Sequence, residues 1–472
     1  MDEGRARVLE LVQRHGWNAT AFQTLEAQYS YYFAGDDACI AYVDTGAAWV
    51  AAGAPIGPPE SVGAVAAAFV HAAHHAGRRC CFAATEERMN LIAGQALRSL
   101  LIGEQPVWDP REWPTILETH GSLREQVRRA RAKGLRVRLL SMTELSDPLT
   151  RSAMTRVIDR WLATRGMAPM GFLVHVEPFT FPAFRRCFVA EVGSRIVAFA
   201  GVVPVPARGG WYIEDLVRDP DAPNGTGELL TDSVMRWAAD EGCDWLTLGL
   251  APLAGDVTGL LRAARTSASL FYDFDGLRRY KAKLRPDSWS PIFVTYPHTQ
   301  GPVRTVFDLL TAFSRGGVLS FGLRTIARGP SAVLRLFAVL LLPWTALLVA
   351  TPTGQWFPGR SAQIAWIALD IAFAIGLFRV SAQPGKRLVT ALAIAMTGDA
   401  ALSLLQAITW NVPRSRGMMD DLVVACACVA PAVAAIALWG ARRTRWRGRG
   451  NAEPVRRQDQ RPTQSHPRLR RS

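Results

Sequence analysis

Over the first 330 residues, apolar positions recur in short alternating or helical-period patterns broken by charges. From Ser331 to Ala441 they merge into long runs separated by short polar loops. The short patterns predict the strands and helices of a globular region. CIAYVDTGAAWVAAGAPIG reads as two strands around a turn at residues 44–46. A helix over 61–76, a strand in RRCCFAAT and a helix over 86–97 follow. A basic helix is predicted over 122–138 and further helices over 146–165. Strands at 185–192, 196–204 and 210–218 come next, then a glycine-rich loop, a helix over 227–241 stopped by Gly242, and a strand at 244–250. The four long runs, at 332–350, 361–380, 388–409 and 422–441, are each long enough to span about 30 Å of hydrocarbon.

Charge divides the chain in the same place. The net charge is +14, and the tail 442–472 holds eleven arginines against Glu453 and Asp459. Beside a membrane run, such a tail sets topology and attracts anionic headgroups; specific RNA binding is the alternative. The loop 351–359 is uncharged, whereas 379–387 carries Arg379, Lys386 and Arg387. An N-terminus, second loop and tail that are all cytosolic agree with four crossings of an inner (plasma) membrane. MDEGRARVLELVQRHG lacks the apolar core of a signal peptide, so the first 330 residues are expected in the cytosol. The seven cysteines form no CxxC pair and no zinc spacing, and no metal is expected.

Two carboxylates, Asp370 and Asp399, fall inside predicted spans. They read either as packed, paired or protonated groups or as part of a lipid or ion pathway. Residues 302–328 alternate Val306, Leu309, Leu310 and Phe313 with arginines and hold no acid after Asp308. That composition suits an interfacial helix; a plain linker is the alternative.

Meander strands followed by a strand–loop–helix–strand unit outline a GNAT-type acyltransferase, and the layout occurs twice. The expected fold is an α/β tandem GNAT-like region followed by an all-α module of four transmembrane helices. Its parts are two halves at 1–140 and 141–298, an interfacial segment at 299–330, the spans at 331–441 and a basic tail at 442–472.

The densest chemistry lies in 211–291. A strand ends in Glu214, Asp215 and Arg218, and the loop Pro223, Asn224, Gly225, Gly227 opens a helix. Glycines there let backbone N–H groups approach a phosphate or oxyanion at the positive helix end. Alone, such a loop is equally a turn. DLVR, DAPNG, LTLGLAPL and FYDFDGLRRYKAKLRP, in this order and spacing, closely resemble the C-terminal catalytic domain of phosphatidylglycerol lysyltransferases, the aminoacyl-phosphatidylglycerol synthases called multiple peptide resistance factors. The resemblance reaches forward through WLATRGMAPMGFLV, LLIGEQPVWDP, SLREQVRRARAKGLRVR and IAYVDTGAAWVAAGAPIGPP, and covers about residues 20–297.

It implies a tandem GNAT fold that moves an aminoacyl group from aminoacyl-tRNA to the hydroxyl of phosphatidylglycerol at the membrane, with no cofactor. The family motifs map onto Asp215 and Arg218, and onto Arg279, Lys281 and Lys283. Transfer to a hydroxyl needs a proton acceptor, which Asp215 would supply. It needs donors at the developing oxyanion, from the 224–227 amides or from Lys281 or Lys283. It also needs cations on substrate phosphates, for which Arg218 is suited. Glu214, Asn224, Gly225, Gly227, Arg279 and Tyr280 complete the expected substrate site. Arg128, Arg131 and Lys133 are expected to meet tRNA phosphates. The alternatives are a buried Asp215–Arg218 ion pair and solvated basic faces.

Two departures from the family pattern stand out. Ala168-Pro169-Met170-Gly171-Phe172 replaces a motif that usually carries a Glu, which bears on amino-acid choice and on catalysis. The family's large N-terminal flippase is absent, so product translocation is not expected. An acyl-CoA-dependent GNAT enzyme and a non-catalytic protein binding anionic lipid or RNA are the competing readings. The first lacks its compact Arg/Gln-x-x-Gly-x-Gly/Ala loop at 218–227.

Overall fold

The computed structural model describes residues 3–443, apart from 94–95, 166–167, 255–273, 315–316, 318–319, 323, 325–329, 352, 383–384 and 416. The chain begins with α1 (Glu3–His15) and three antiparallel strands, β1 (Ser30–Ala34), β2 (Ala38–Asp44) and β3 (Ala48–Ala52). At the β2–β3 turn, Gly46 adopts φ +84° and donates its N–H to Asp44 Oδ1 at 2.7 Å, a local closure that Asp and Gly make inexpensive. α2 (Val62–His75) crosses over to β4 (Arg79–Glu86), parallel to β3. Then come α3 (Glu87–Ala93), the long β5 (Leu97–Trp108), α4 (Trp113–Thr119), α5 (Gly121–Ala132), β6 (Leu135–Leu139), α6 (Met142–Ser146) and α7 (Pro148–Leu162).

The second half repeats the plan of the first. β7 (Arg186–Val192), β8 (Arg195–Val205) and β9 (Gly210–Arg218) are antiparallel, and α8 (Thr226–Asp240) crosses to β10 (Leu246–Thr247), parallel to β9. β11 (Ala251–Pro252), α9 (Phe274–Lys283) and β12 (Ser288–Pro297) end the sheet. Each half is GNAT-like: a meander, a crossover helix and a parallel strand.

The halves exchange pieces. The strand order is β1-β2-β3-β4-β12-β5-β10-β9-β8-β7-β6. β12, from the end of the second half, inserts between β4 and β5, pairing with β5 along its whole length. α4 and α5, from the first 140 residues, pack on the second half through Trp113, Ile116, Leu123 and Val127 against Leu229, Leu230 and Val234 of α8. β6 pairs with β7.

Three predicted elements differ in extent. The helix predicted over 122–138 stops at Ala132, because Gly134 takes the left-handed conformation (φ +81°) and Leu135, Val137 and Leu139 then alternate as a strand. Arg136 and Arg138 therefore lie on β6. The helix predicted over 86–97 ends at Ala93, and Leu97 already belongs to β5. The strand predicted at 244–250 pairs only over Leu246–Thr247, a shortening that shapes the site below.

α10 (Pro302–Phe313) carries two faces. Leu309, Val306 and Phe313 pack on the first half of the sheet, and Asp308 receives Arg79 through two bonds of 2.6 and 2.8 Å. Val303, Phe307 and Leu310, at helical spacing, are exposed. The rest of the expected interfacial segment lies largely outside the described residues.

Four helices are long and apolar enough to cross a membrane: α11 (Pro330–Ala350), α12 (Arg360–Ala382), α13 (Lys386–Gln406) and α14 (Met418–Arg443). Leu334, Phe373, Leu377, Ala393, Ala434 and Leu438 form their common core. Leu340, Leu342, Ile375, Phe378 and Leu405 face outward, the arrangement a hydrocarbon surround would stabilise. The tail beyond 443 lies outside the described residues.

Candidate functional site

β9 and β10 part almost as soon as they meet. Only Trp211 and Tyr212 of β9 face Leu246 and Thr247 of β10, so among the described residues the rest of β9 has no partner strand on that side. The Tyr212 ring fills the base of the wedge. A Cβ on Gly249 would lie 2.6 Å from it, and Gly249 adopts φ +67°. The far wall is held by Lys281 of α9, whose Nζ donates to the carbonyls of Leu248, Gly249 and Leu250 at 2.8, 2.8 and 2.9 Å. Burial pulls this ammonium down to about 7. The three carbonyl acceptors use three hydrogens and so favour the protonated form.

A β-bulge decides which way β9 points its chemistry. The pairing with β8 shifts between Gly201↔Asp215 and Val202↔Ile213, leaving Glu214 as the extra residue. Ile213 and Leu216 lie on the α8 side of the sheet. Glu214 and Asp215 both turn to the opposite side, toward Arg185.

There they form a buried acidic cluster. The Arg185 guanidinium contacts the Glu214 carboxylate and lies 4.0 Å from Asp215 Oδ2; all three side chains are almost wholly buried. Asp215 Oδ2 and Glu214 Oε1 have no hydrogen-bond partner among the described residues. Burial, reinforced by Glu214 and opposed by Arg185, raises the Asp215 carboxyl well above its ordinary range. Glu26 joins from the first half, pushed up to about 8 by burial and by Glu214. Gln28 donates both to Glu26 Oε2 (3.0 Å) and to the Phe172 carbonyl (2.8 Å). A carboxylate thus sits one side chain away from the 168–172 segment that lacks the expected Glu. Three acids share one arginine.

On the α8 side, beyond the wedge, a cavity of about 710 Å³ opens at the end of β9. Its walls carry Arg129, Lys133, Arg165, Arg218 and Lys283 against one carboxylate, Glu228. The N-terminus of α8 enters through Gly225 and Gly227. Gly225 adopts φ +96°, and a Cβ there would lie 3.0 Å from the Gln126 carbonyl. A Cβ on Gly227 would meet the Tyr280 hydroxyl at 2.6 Å. Lys283 donates to Glu228 at 2.7 Å, and Lys133 to the Asn224 carbonyl at 3.3 Å. A basic cavity at a helix N-terminus can hold a phosphodiester.

Of the residues singled out in the sequence, Arg218, Asn224, Gly225, Gly227, Tyr280, Lys283 and Lys133 meet in this cavity. Asp215 and Glu214 are on the other side of the sheet, and Asp215 pairs with Arg185 rather than with Arg218. Lys281 is buried in the wedge wall. Arg279 is exposed on α9, bonded to the Asp275 carbonyl at 3.2 Å. Arg131 is tied to buried Asp232 at 2.7 Å, which also receives Trp113 Nε1 and Arg236. Arg128 is exposed and shares Glu125 with Arg129; those arginines hold the Glu125 carboxyl down to about 2. Arg129, read from the sequence only as part of the basic helix, also lines the cavity; Arg185, Glu26 and Arg165 were missed. Arg185 stands in an unremarkable Arg-Arg pair, and nothing local marks Glu26 as buried.

The match to known proteins follows the same span. The family profile for the C-terminal region of phosphatidylglycerol lysyltransferase covers residues 9–296. The chain belongs to this family. Phosphatidylglycerol lysyltransferase of Bacillus subtilis is 25% identical over 312 residues, 64% of this chain and 36% of that protein. The lysylphosphatidylglycerol biosynthesis bifunctional protein LysX of Nocardia farcinica is 26% identical over 227 residues, 45% of this chain and 20% of that one. The chain therefore spans about a third or less of the length of these lysyltransferase relatives. The crystal structure of a C-terminal domain assigned to a lysylphosphatidylglycerol synthetase from Agrobacterium fabrum matches with TM-score 0.56 and 26% identity, covering 66% of this chain and 96% of that one. L-PGS from Bacillus licheniformis shares the fold at TM-score 0.56 and 23% identity, covering 68% of this chain and 97% of that one.

Proposed function

We propose that this lysyltransferase-family chain transfers an aminoacyl group from aminoacyl-tRNA to a hydroxyl of phosphatidylglycerol at the cytosolic membrane face. The observation that carries the reading is the basic cavity at the α8 N-terminus, which suits a substrate phosphodiester. It lies beside a wedge whose other side holds an excess of buried carboxylates.

The reaction is a transesterification. The lipid hydroxyl attacks the ester carbonyl, the bond to the tRNA ribose oxygen breaks, and the hydroxyl proton passes to that oxygen. The Glu26–Glu214–Asp215 cluster, with one Arg185 to neutralise it, offers a favourable place for the ammonium of the aminoacyl group. Arg218, Lys283, Lys133 and Arg129 hold phosphate, and the Gly227 and Glu228 amides with the α8 dipole stabilise negative charge. Asp215 accepts or orients the moving proton. A raised carboxyl is the more competent base once ionised. Lys281 positions the wedge wall through its three carbonyl contacts. The exposed Val303, Phe307 and Leu310 stripe of α10 rests in the bilayer interface, and the four spans hold the catalytic region beside its lipid.

Lipid mass spectrometry of cells expressing the chain tests this reading. Aminoacylated phosphatidylglycerol is expected with the natural sequence and is expected to be lost with Arg218→Ala. Its absence under every growth condition would overturn the proposal.

A further inference from the structure

The membrane module contains a feature that the transfer reaction does not use. Asp370 lies midway along α12 and Asp399 well inside α13, and both border a cavity of about 200 Å³ between the helices. Their side-chain-bearing residues are only 6% and 7% exposed. Among the described residues, Asp370 Oδ2 has no hydrogen-bond partner and no basic side chain pairs with either carboxylate. A group of this kind inside a span is costly unless something of opposite charge meets it.

The walls say what that something is. Trp344, Trp356, Trp366 and Phe373 line the same cavity. The aromatic wall is held in place: Trp366 Nε1 donates to Gln406 Oε1 at 2.7 Å, and Gln406 Nε2 donates to the Trp356 carbonyl at 3.1 Å. A π-helical turn, Ala407–Asn411, follows directly, and Asn411 Nδ2 donates to the same carbonyl at 3.0 Å. A hard divalent ion would need about six oxygen ligands, whereas this cavity sets its two carboxylates among aromatic and aliphatic side chains. Ring faces and two carboxylates together suit an organic ammonium.

We propose that the cavity binds a primary or quaternary ammonium group, with Asp370 and Asp399 as its counter-charges and the tryptophan faces as its walls. A small free amine and an amine-bearing lipid headgroup share this chemistry. The site does not depend on the proposed transfer reaction, since neither aspartate belongs to the catalytic region.

Carbodiimide labelling of the full-length chain in phosphatidylglycerol nanodiscs tests the proposal, with dicyclohexylcarbodiimide adducts on Asp370 and Asp399 read by peptide mass. One arm adds n-butylammonium chloride; another adds lysyl-phosphatidylglycerol to the bilayer; a third has phosphatidylglycerol alone. A ligand at about ten times its Kd slows labelling about tenfold, and protection by either amine supports the site. Protection by butylammonium identifies a free-amine site; protection by the lipid alone identifies a headgroup site. Asp399→Asn is expected to abolish protection at Asp370 while leaving aminoacyl transfer unchanged. Labelling rates on the natural chain that neither amine changes would overturn the proposal, without bearing on the transfer reaction.

Discussion

The Arg185 guanidinium lies 4.0 Å from Asp215 Oδ2, with both side chains almost fully buried, and it makes its closer contact with Glu214. The bulge at Glu214 makes this possible, because it turns two consecutive β9 side chains toward the same arginine. Arg185→Leu would leave three buried acids without their counter-charge. The expected loss is about 3–5 kcal/mol, measured by urea unfolding of the full chain in detergent, with Arg185→Lys recovering part of it.

Glu26 gives the fold a pH signature. Its carboxyl is raised to about 8 in the folded chain, so the folded state holds a proton that the unfolded state releases above the ordinary Glu range. Stability from this group is complete below about 4.5 and is lost as pH rises through 8, by at most about 1.4 kcal/mol per pH unit. Glu26→Gln should flatten the melting temperature across this window and raise it relative to the natural chain above pH 8. Thermal unfolding from pH 5 to 9 reads the difference.

Gly227 and Tyr280 should behave as a pair. A Cβ at 227 meets the Tyr280 hydroxyl at 2.6 Å, so Gly227→Ala must displace the ring or the first turn of α8 at the mouth of the basic cavity. Transfer is expected to fall by about tenfold or more, and Gly227→Ala/Tyr280→Phe should recover a measurable part of it, because removing the hydroxyl relieves the contact. Additive losses in the kinetic double-mutant cycle would show that the two positions do not press on each other.

The two lysines of α9 are expected to fail differently. Lys281→Met leaves three carbonyls without their buried donor, and the stability cost should be about 2–4 kcal/mol. Lys283→Met loses one half-exposed ion pair with Glu228 and should leave stability within about 1 kcal/mol while raising KM. Comparing unfolding curves with transfer kinetics separates the two roles.

Much of this was legible in the chain. The membrane runs announced themselves by length, and the meander strands and crossover helices by period and by glycine. The residues of the basic cavity were legible because the loop 223–227, Arg218 and Lys283 sit in local motifs. β12 was not legible as the strand that joins the halves, since pairing with β4 and β5 is a property of distant chain segments. β5 was hidden because Glu104, Gln105 and Pro106 interrupt its apolar pattern. The separation of Asp215 from Arg218 was invisible for a subtler reason. Three residues apart on a regular strand they would already face opposite ways, but only the bulge turns both Glu214 and Asp215 toward Arg185. Glu26 and Arg185 become a cluster only when the two halves meet.

The most direct measurement supplies membranes containing the chain with tRNA carrying a radiolabelled amino acid and follows label into chloroform-extractable lipid. The account predicts labelled phosphatidylglycerol that disappears when RNase is added beforehand and falls at least tenfold with Arg218→Ala, in line with a lost charge-assisted phosphate contact. Lipid labelling that survives RNase, or no lipid labelling with any aminoacyl-tRNA, would contradict it.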